Sequence, residues 1–146
     1  MTSLATGSVC PRCGAQGDGK CGRCGTGTVL PVIASRFQLT DAVGSDSMGT
    51  RWLGTDTEKS QPVHVRLGLP MEDGAALLFQ RHSKHLMEIE HHNLPHVLWA
   101  GSHGRVPAVV TQVTDGVDLA AEIKKSGALG VQRTTSIATQ LLKGAA

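Results

Sequence analysis

The chain has 146 residues, 40% of them hydrophobic and 18% charged, enough apolar material for one globular domain with a small appendage and too much for a disordered polymer. Two Trp, two Phe and no Tyr argue against a platform that stacks single-stranded nucleic acid. The formal charge of +2 is the surplus of residues 1–35, where Arg12, Lys20 and Arg23 face only Asp18, a basic bias too weak for a nucleic-acid footprint.

The first residues have neither the basic nor the apolar region of a secretory signal. No apolar run approaches the roughly 20 residues that cross a bilayer, so the expectation is a cytoplasmic protein. Next come two CxxCG knuckles, Cys10 to Gly14 and Cys21 to Gly25. Each aims two thiolates at one point, and the closing glycine permits the left-handed backbone such a turn needs. Four thiolates suit a closed tetrahedral Zn²⁺ site with no open position for chemistry. An iron site of the rubredoxin type takes the same four ligands. Disulfides would require an oxidising compartment that nothing else in the sequence suggests. The intervening residues 14–20 are too short and glycine-rich to fold without an ion, so binding the metal is what folds this segment. Residues 1–28 are therefore read as a ribbon, and 29–35 as a linker.

From Arg36 the pattern is strand, turn, strand. Phe37, Leu39 and Val43 mark one face, the turn spans Gly44–Gly49, and Trp52 and Leu53 continue the return strand. A polar turn leads into a third strand of period two, Val63–Leu67. A helix is predicted over Gly74–Ile89, with Leu77, Leu78, Arg81, Leu86 and Ile89 at spacings of three and four. Val97–Gly101 reads as a fourth strand, Ser102–Arg105 as a hairpin turn and Pro107–Val113 as a fifth strand, apolar enough to be central. Two further helices are predicted, Leu119–Lys125 and Val131–Leu142.

Several of these stretches resemble one family. The run from Arg36 to Asp56, with its glycine turn, is similar to the opening of a bacterial Hanks-type serine/threonine protein kinase domain. The tetrapeptide Val63-His64-Val65-Arg66 sits where a kinase has Val-Ala-Ile-Lys, whose lysine holds ATP phosphates. The stretch from His91 to Leu94 resembles the His-Pro-Asn-Ile that follows helix C. The stretch from Ala108 to Gly116 resembles the fifth strand, gatekeeper (Thr111) and hinge (Gln112 to Thr114). The resemblance covers residues 36–146. It implies an α+β fold in which the zinc ribbon precedes a kinase-like N-lobe, a five-stranded antiparallel sheet plus helix C, followed by the first C-lobe helices. Ribbons of this kind often precede bacterial kinase and signalling domains. The family binds ATP with magnesium, which implies nucleotide contacts at Val43, Gly44, Gly49, Arg66, Thr111 and Val113.

The residues that would use a nucleotide depart from the family. Its strand-three lysine pairs with a helix-C glutamate. Here those positions hold Arg66, whose planar fork is no equivalent of lysine, and His82. His64 replaces the small alanine, Arg51 the valine that covers adenine, and Asp46 the middle glycine, setting an anion where phosphates would lie. The given sequence ends before the family's His-Arg-Asp and Asp-Phe-Gly motifs. The expected function is thus a pseudokinase: a regulatory or scaffold module that keeps the lobe for its shape and acts through a protein partner or self-association. The alternative is the ATP-binding lobe of a serine/threonine kinase completed by a missing or separate C-lobe. A nucleic-acid-binding ribbon is the weakest reading, given the low charge. The histidines His82, His85, His91, His92 and His96 lack the HExxH pattern and are not expected to form a metal site.

Overall fold

A computed structural model of the protein describes residues 7–145. They gather into two compact units, residues 7–89 with 96–113 and residues 90–95 with 114–145.

The first unit is built on a six-stranded antiparallel sheet. β1 (Val32–Ile33), β2 (Phe37–Asp46), β3 (Gly49–Asp56) and β4 (Gln61–Gly68) are successive neighbours. Beyond β4 the order reverses: β5 (Val97–His103) forms the far edge, and β6 (Val106–Gln112) lies between it and β4. Strand periodicity decides what each face does. On β4, Val63, Val65 and Leu67 are buried while His64 and Arg66 turn to the opposite face. On β6, Val106, Ala108 and Val110 are buried in the same alternation. These side chains form the core with Ile33, Phe37, Leu39 and Trp52.

The five predicted strands and the helix are all present, with five differences. The turn expected over Ser102–Arg105 shrinks to Gly104 and Arg105, because β5 runs on to His103. Val43 does not share the buried face of Phe37 and Leu39: the register shifts between Leu39 and Ala42 and between Ala42 and Gly44, and Val43 is exposed. The other three concern β1, the glycine turn and the helix. The stretch expected as a linker contains β1, because Val32 and Ile33 pair with Gln38 and Phe37 and bury Ile33 completely. The glycine turn is shorter than Gly44–Gly49: β2 and β3 run into it and leave only Ser47 and Met48 unpaired. The last difference concerns α1 (Asp73–Glu88). It meets the sheet through the small residues Ala76 and Ser83, whereas Leu77 and Leu78 are exposed. The Ala76 carbonyl accepts a 3.0 Å hydrogen bond from the Ser102 hydroxyl of β5, a close approach that bulky leucines would prevent. At the start of α1, Arg105 donates from Nε to the Met71 carbonyl at 2.8 Å and pairs with Asp73 at 3.1 Å.

At the end of the β2–β3 hairpin away from the turn, Asp56 is 1% exposed. It accepts hydrogen bonds from Arg36 Nε and Nη2 at 2.9 and 2.7 Å and from the Glu58 backbone N–H at 3.1 Å. The Arg36 guanidinium lies 4.9 Å above the Phe37 ring. This two-pronged pairing is the main reason the Asp56 carboxyl is held down to about 2.

The second unit contains α2 (Leu119–Ser126) and α3 (Val131–Ala145). Asp118 caps α2 by accepting from the N–H groups of Ala120 and Ala121. Arg133 reaches Glu122 at 3.3 Å, and Asn93 donates to the Gln140 carbonyl at 3.0 Å. Neither helix buries a residue, and Val131, Leu141 and Leu142 are exposed. Among the described residues no helix is long and apolar enough to cross a membrane.

Asp56 is ionised in the folded state down to a lower pH than in the unfolded chain, so its contribution is complete above the ordinary value of 3.8 and lost as pH falls towards about 2. Asp56→Asn is expected to lower the thermal midpoint at neutral pH. In parallel melts of the two proteins, the gap should close between pH 4 and pH 2.

Candidate functional site

Two places bring chemical groups together, a thiol cluster and a cleft. The four cysteines converge as the spacing predicts: their sulfurs all lie within 4.8 Å of one another. Cys10 to Cys24 and Cys13 to Cys21 are 3.5 Å apart, and Cys13 to Cys24 is 3.8 Å. Four sulfurs at 2.3 Å from a central ion in a regular tetrahedron would be about 3.8 Å apart, so the cluster has the size of a metal cage.

The two knuckles repeat one backbone pattern. The N–H groups of Cys10 and Cys21 donate to the carbonyls of Ala15 and Thr26, each at 2.9 Å. Gly14 and Gly25 have φ of 73° and 72°, the left-handed conformation, and their N–H groups donate back to the Cys10 and Cys21 carbonyls. The thiols differ in ease of ionisation. Burial pushes Cys10 up to about 12, while the Thr26 hydroxyl and N–H bring exposed Cys24 down to about 6. A metal held by the four sulfurs would take them as thiolates, displacing the Cys10 proton as it bound. Among the described residues no histidine joins a metal-binding group.

The cluster is packed into the sheet. Val9, beside Cys10, is fully buried in the same core as Phe37 and Trp52, and it exchanges two backbone hydrogen bonds with Val29 at 2.7 and 2.9 Å. A Cβ placed on Gly14 would sit 3.4 Å from the Ala42 Cβ and 3.7 Å from the Trp52 ring. Trp52 is 1% exposed, and its ring N–H donates to the Thr50 hydroxyl at 2.9 Å.

The cleft is a cavity of about 390 Å³ that Trp52 also lines. Val43, Arg66 and Thr111 line it, joined by Arg51, His64, Val65 and Val109. Gly44 and Gly49 lie in the hairpin, outside the lining; Val113 follows β6 and is exposed; His82 is exposed on α1. The Arg66 guanidinium is engaged by the turn itself. Its Nη2 donates to Asp46 Oδ1 and Oδ2 at 2.7 and 2.8 Å. That bond, with one from the Met48 N–H, keeps the Asp46 carboxyl below the usual carboxylate range. Gly49 has a steric reason to be glycine: a Cβ there would run into the Leu67 carbonyl oxygen and come within 2.9 Å of the Gly68 Cα. Missing from the sequence reading were the Asp46–Arg66 pair and the place of Trp52 between cluster and cleft. Counting register from the turn would have found the pair, because Asp46↔Gly49 and Gly49↔Gly68 fix the three strands.

No protein-family profile and no curated protein matches the chain. Solved structures do. The kinase domain of PknI from Mycobacterium tuberculosis superposes with a TM-score of 0.66 at 17% identity over 78% of this chain and 48% of that one. A second structure of that domain gives 0.67. Rad53 residues 1–466, in complex with AMP-PNP, gives 0.61 at 18% identity over 73% of this chain and 28% of that one. The chain thus spans about half the length of the PknI domain, and its fold is an α+β, kinase-like N-lobe joined to a cysteine cluster.

Because Val9 couples cluster to core, disruption of the thiol cluster is expected to be felt in the sheet. Cys13→Ser should abolish metal uptake, lower the thermal midpoint and red-shift tryptophan fluorescence. Val9→Ala should cost about 2 kcal/mol in denaturant titration while metal content by mass spectrometry stays unchanged.

Proposed function

We propose that this protein is a pseudokinase-like module that works by protein contact, with a structural zinc in its ribbon. One observation carries the reading: Arg66, at the position of the phosphate-holding lysine, is paired with Asp46 of the glycine turn. In a working kinase the lysine is held by a helix-C glutamate and is offered to phosphate. Here the cation meets its counter-ion on the turn that should cover phosphates, and His82, at the glutamate's position, offers no carboxylate to pair with it. The packing of Gly49 against β4 supports the same reading, since the glycine turn is required by strand geometry whether or not a nucleotide binds. Exposed Val131, Leu141 and Leu142 supply an apolar surface of the kind that contacts other proteins.

The zinc assignment rests on four sulfurs without any other ligand type, and a closed thiolate cage is the usual structural zinc site. The rival reading, an ATP-binding lobe that needs a separate C-lobe, is favoured by the cavity between Val43 and Thr111 and by the AMP-PNP bound to Rad53.

Calorimetry and light scattering separate the two. The contact reading expects no magnesium-enhanced ATP binding and a concentration-dependent mass that falls when Leu141→Glu is introduced. Micromolar ATP–Mg²⁺ affinity lost in Arg66→Ala, together with a monomer at high concentration, would reverse the conclusion. Metal analysis should give one zinc per chain, with iron as the contrary result.

A further inference from the structure

The two cysteine knuckles repeat one backbone pattern but stand in different surroundings. The first is built into the sheet. Val9 and Cys10 are fully buried, Pro11 is buried with them, and Gly14 lies beside Ala42 and Trp52. The second stands out in solvent. Gly22, Arg23, Cys24 and Gly25 are all exposed, and a Cβ placed on Gly22 or Gly25 would meet no described atom within 4 Å. Its backbone hydrogen bonds are local. The Cys21 N–H donates to the Thr26 carbonyl at 2.9 Å, and the Gly25 N–H donates to the Cys21 carbonyl at 2.8 Å. A segment with few packed neighbours and exposed backbone bonds opens at a lower free energy than a packed core does.

The sulfurs follow the same division. Cys10 is buried, whereas Cys24 is exposed. Beyond the cage itself, one hydroxyl holds the Cys24 side chain: Thr26 Oγ1 lies 3.3 Å from its sulfur. The first knuckle has no matching hydroxyl, because Ala15 stands two residues past Cys13 where Thr26 stands two residues past Cys24. To a thiolate that hydroxyl donates, and such a charge-assisted bond fixes the direction of a ligating sulfur.

We propose that the cage exchanges its ion through the second knuckle, with the Cys24 sulfur the first to detach and Thr26 the positioning residue that holds it. The proposal rests on the reading that the four cysteines hold a metal, and deepens it by giving the order in which they let go. Exchange is a substitution: a donor from solution forms its bond to the ion as the Cys24 thiolate leaves, and no electron changes hands. The first knuckle stays fixed by the sheet and keeps half of the cage in shape.

The test uses the zinc-loaded chain and follows transfer of zinc to a chromogenic pyridylazo chelator by absorbance. Thr26→Val is expected to release zinc about tenfold faster, as removal of an outer partner of a metal ligand does. Thr26→Ser, which keeps the hydroxyl, should release at the wild-type rate. An unchanged rate in Thr26→Val, or an equally fast Thr26→Ser, would overturn the role of the hydroxyl. The order is read on the wild type by brief treatment with N-ethylmaleimide and peptide mapping. The first adduct should fall on Cys24, and a first adduct on Cys10, Cys13 or Cys21 would overturn the order. Cys24→Ser should still hold one zinc, more weakly, with tryptophan fluorescence unshifted, whereas Cys10→Ser should lose the zinc and red-shift. Matching behaviour of the two variants would overturn the division between the knuckles. A wild-type chain that takes up no metal defeats the cage reading itself. Zinc that is held but released through another sulfur defeats this inference alone.

Discussion

The packing around Trp52 is what the rest of the first unit depends on. Its ring lies against the first cysteine knuckle, its N–H is satisfied by Thr50, its flank belongs to the sheet core, and the residue borders the cleft on the other face. A large aromatic buried from four directions contributes more than its area, because any neighbour that shifts opens a void beside it. Gly14 fits the same layer through its backbone, whose positive φ is what calls for glycine there, and it lies beside Ala42 and Trp52. The thiol cluster and the cleft are therefore two sides of one packed layer.

Register explains the electrostatics of the cleft. Once Gly49 is forced close to the β4 backbone, Arg51 must face Arg66, and the turn must return Asp46 to the same edge. In a sequence comparison the outer glycines suggest phosphate binding and the aspartate suggests its loss. In three dimensions both follow from one hairpin whose strands run almost to its tip. The carboxylate on the short turn thus bonds to one member of the facing arginine pair.

Much of this was legible in the residues. Five strands, helix α1 and the last two helices were placed within a few positions, because each has a clear period and a glycine, proline or aspartate at its end. The cysteine cage was legible because knuckle spacing leaves the thiols little choice. What failed to show was contact between distant elements. Ile33 gave no sign of pairing with Phe37, since a two-residue strand has no period to detect. Leu77 and Leu78 suggested the buried face of α1, but close approach to β5 selected Ala76 and Ser83. The Asp46–Arg66 bond joins residues 20 apart and required the register of three strands.

Val9 gives the ribbon a different standing from that of an interchangeable module. A detachable ribbon carries its own apolar contacts with it when transplanted. This one contributes a core side chain to the sheet and takes shelter from it. Cutting the chain between the knuckles and Phe37 would leave the remaining lobe with an open seam and the ribbon with a bare apolar edge. Replacing this ribbon with a different leader would therefore have to supply the Val9 side chain to the core as well as a new fold for the leader.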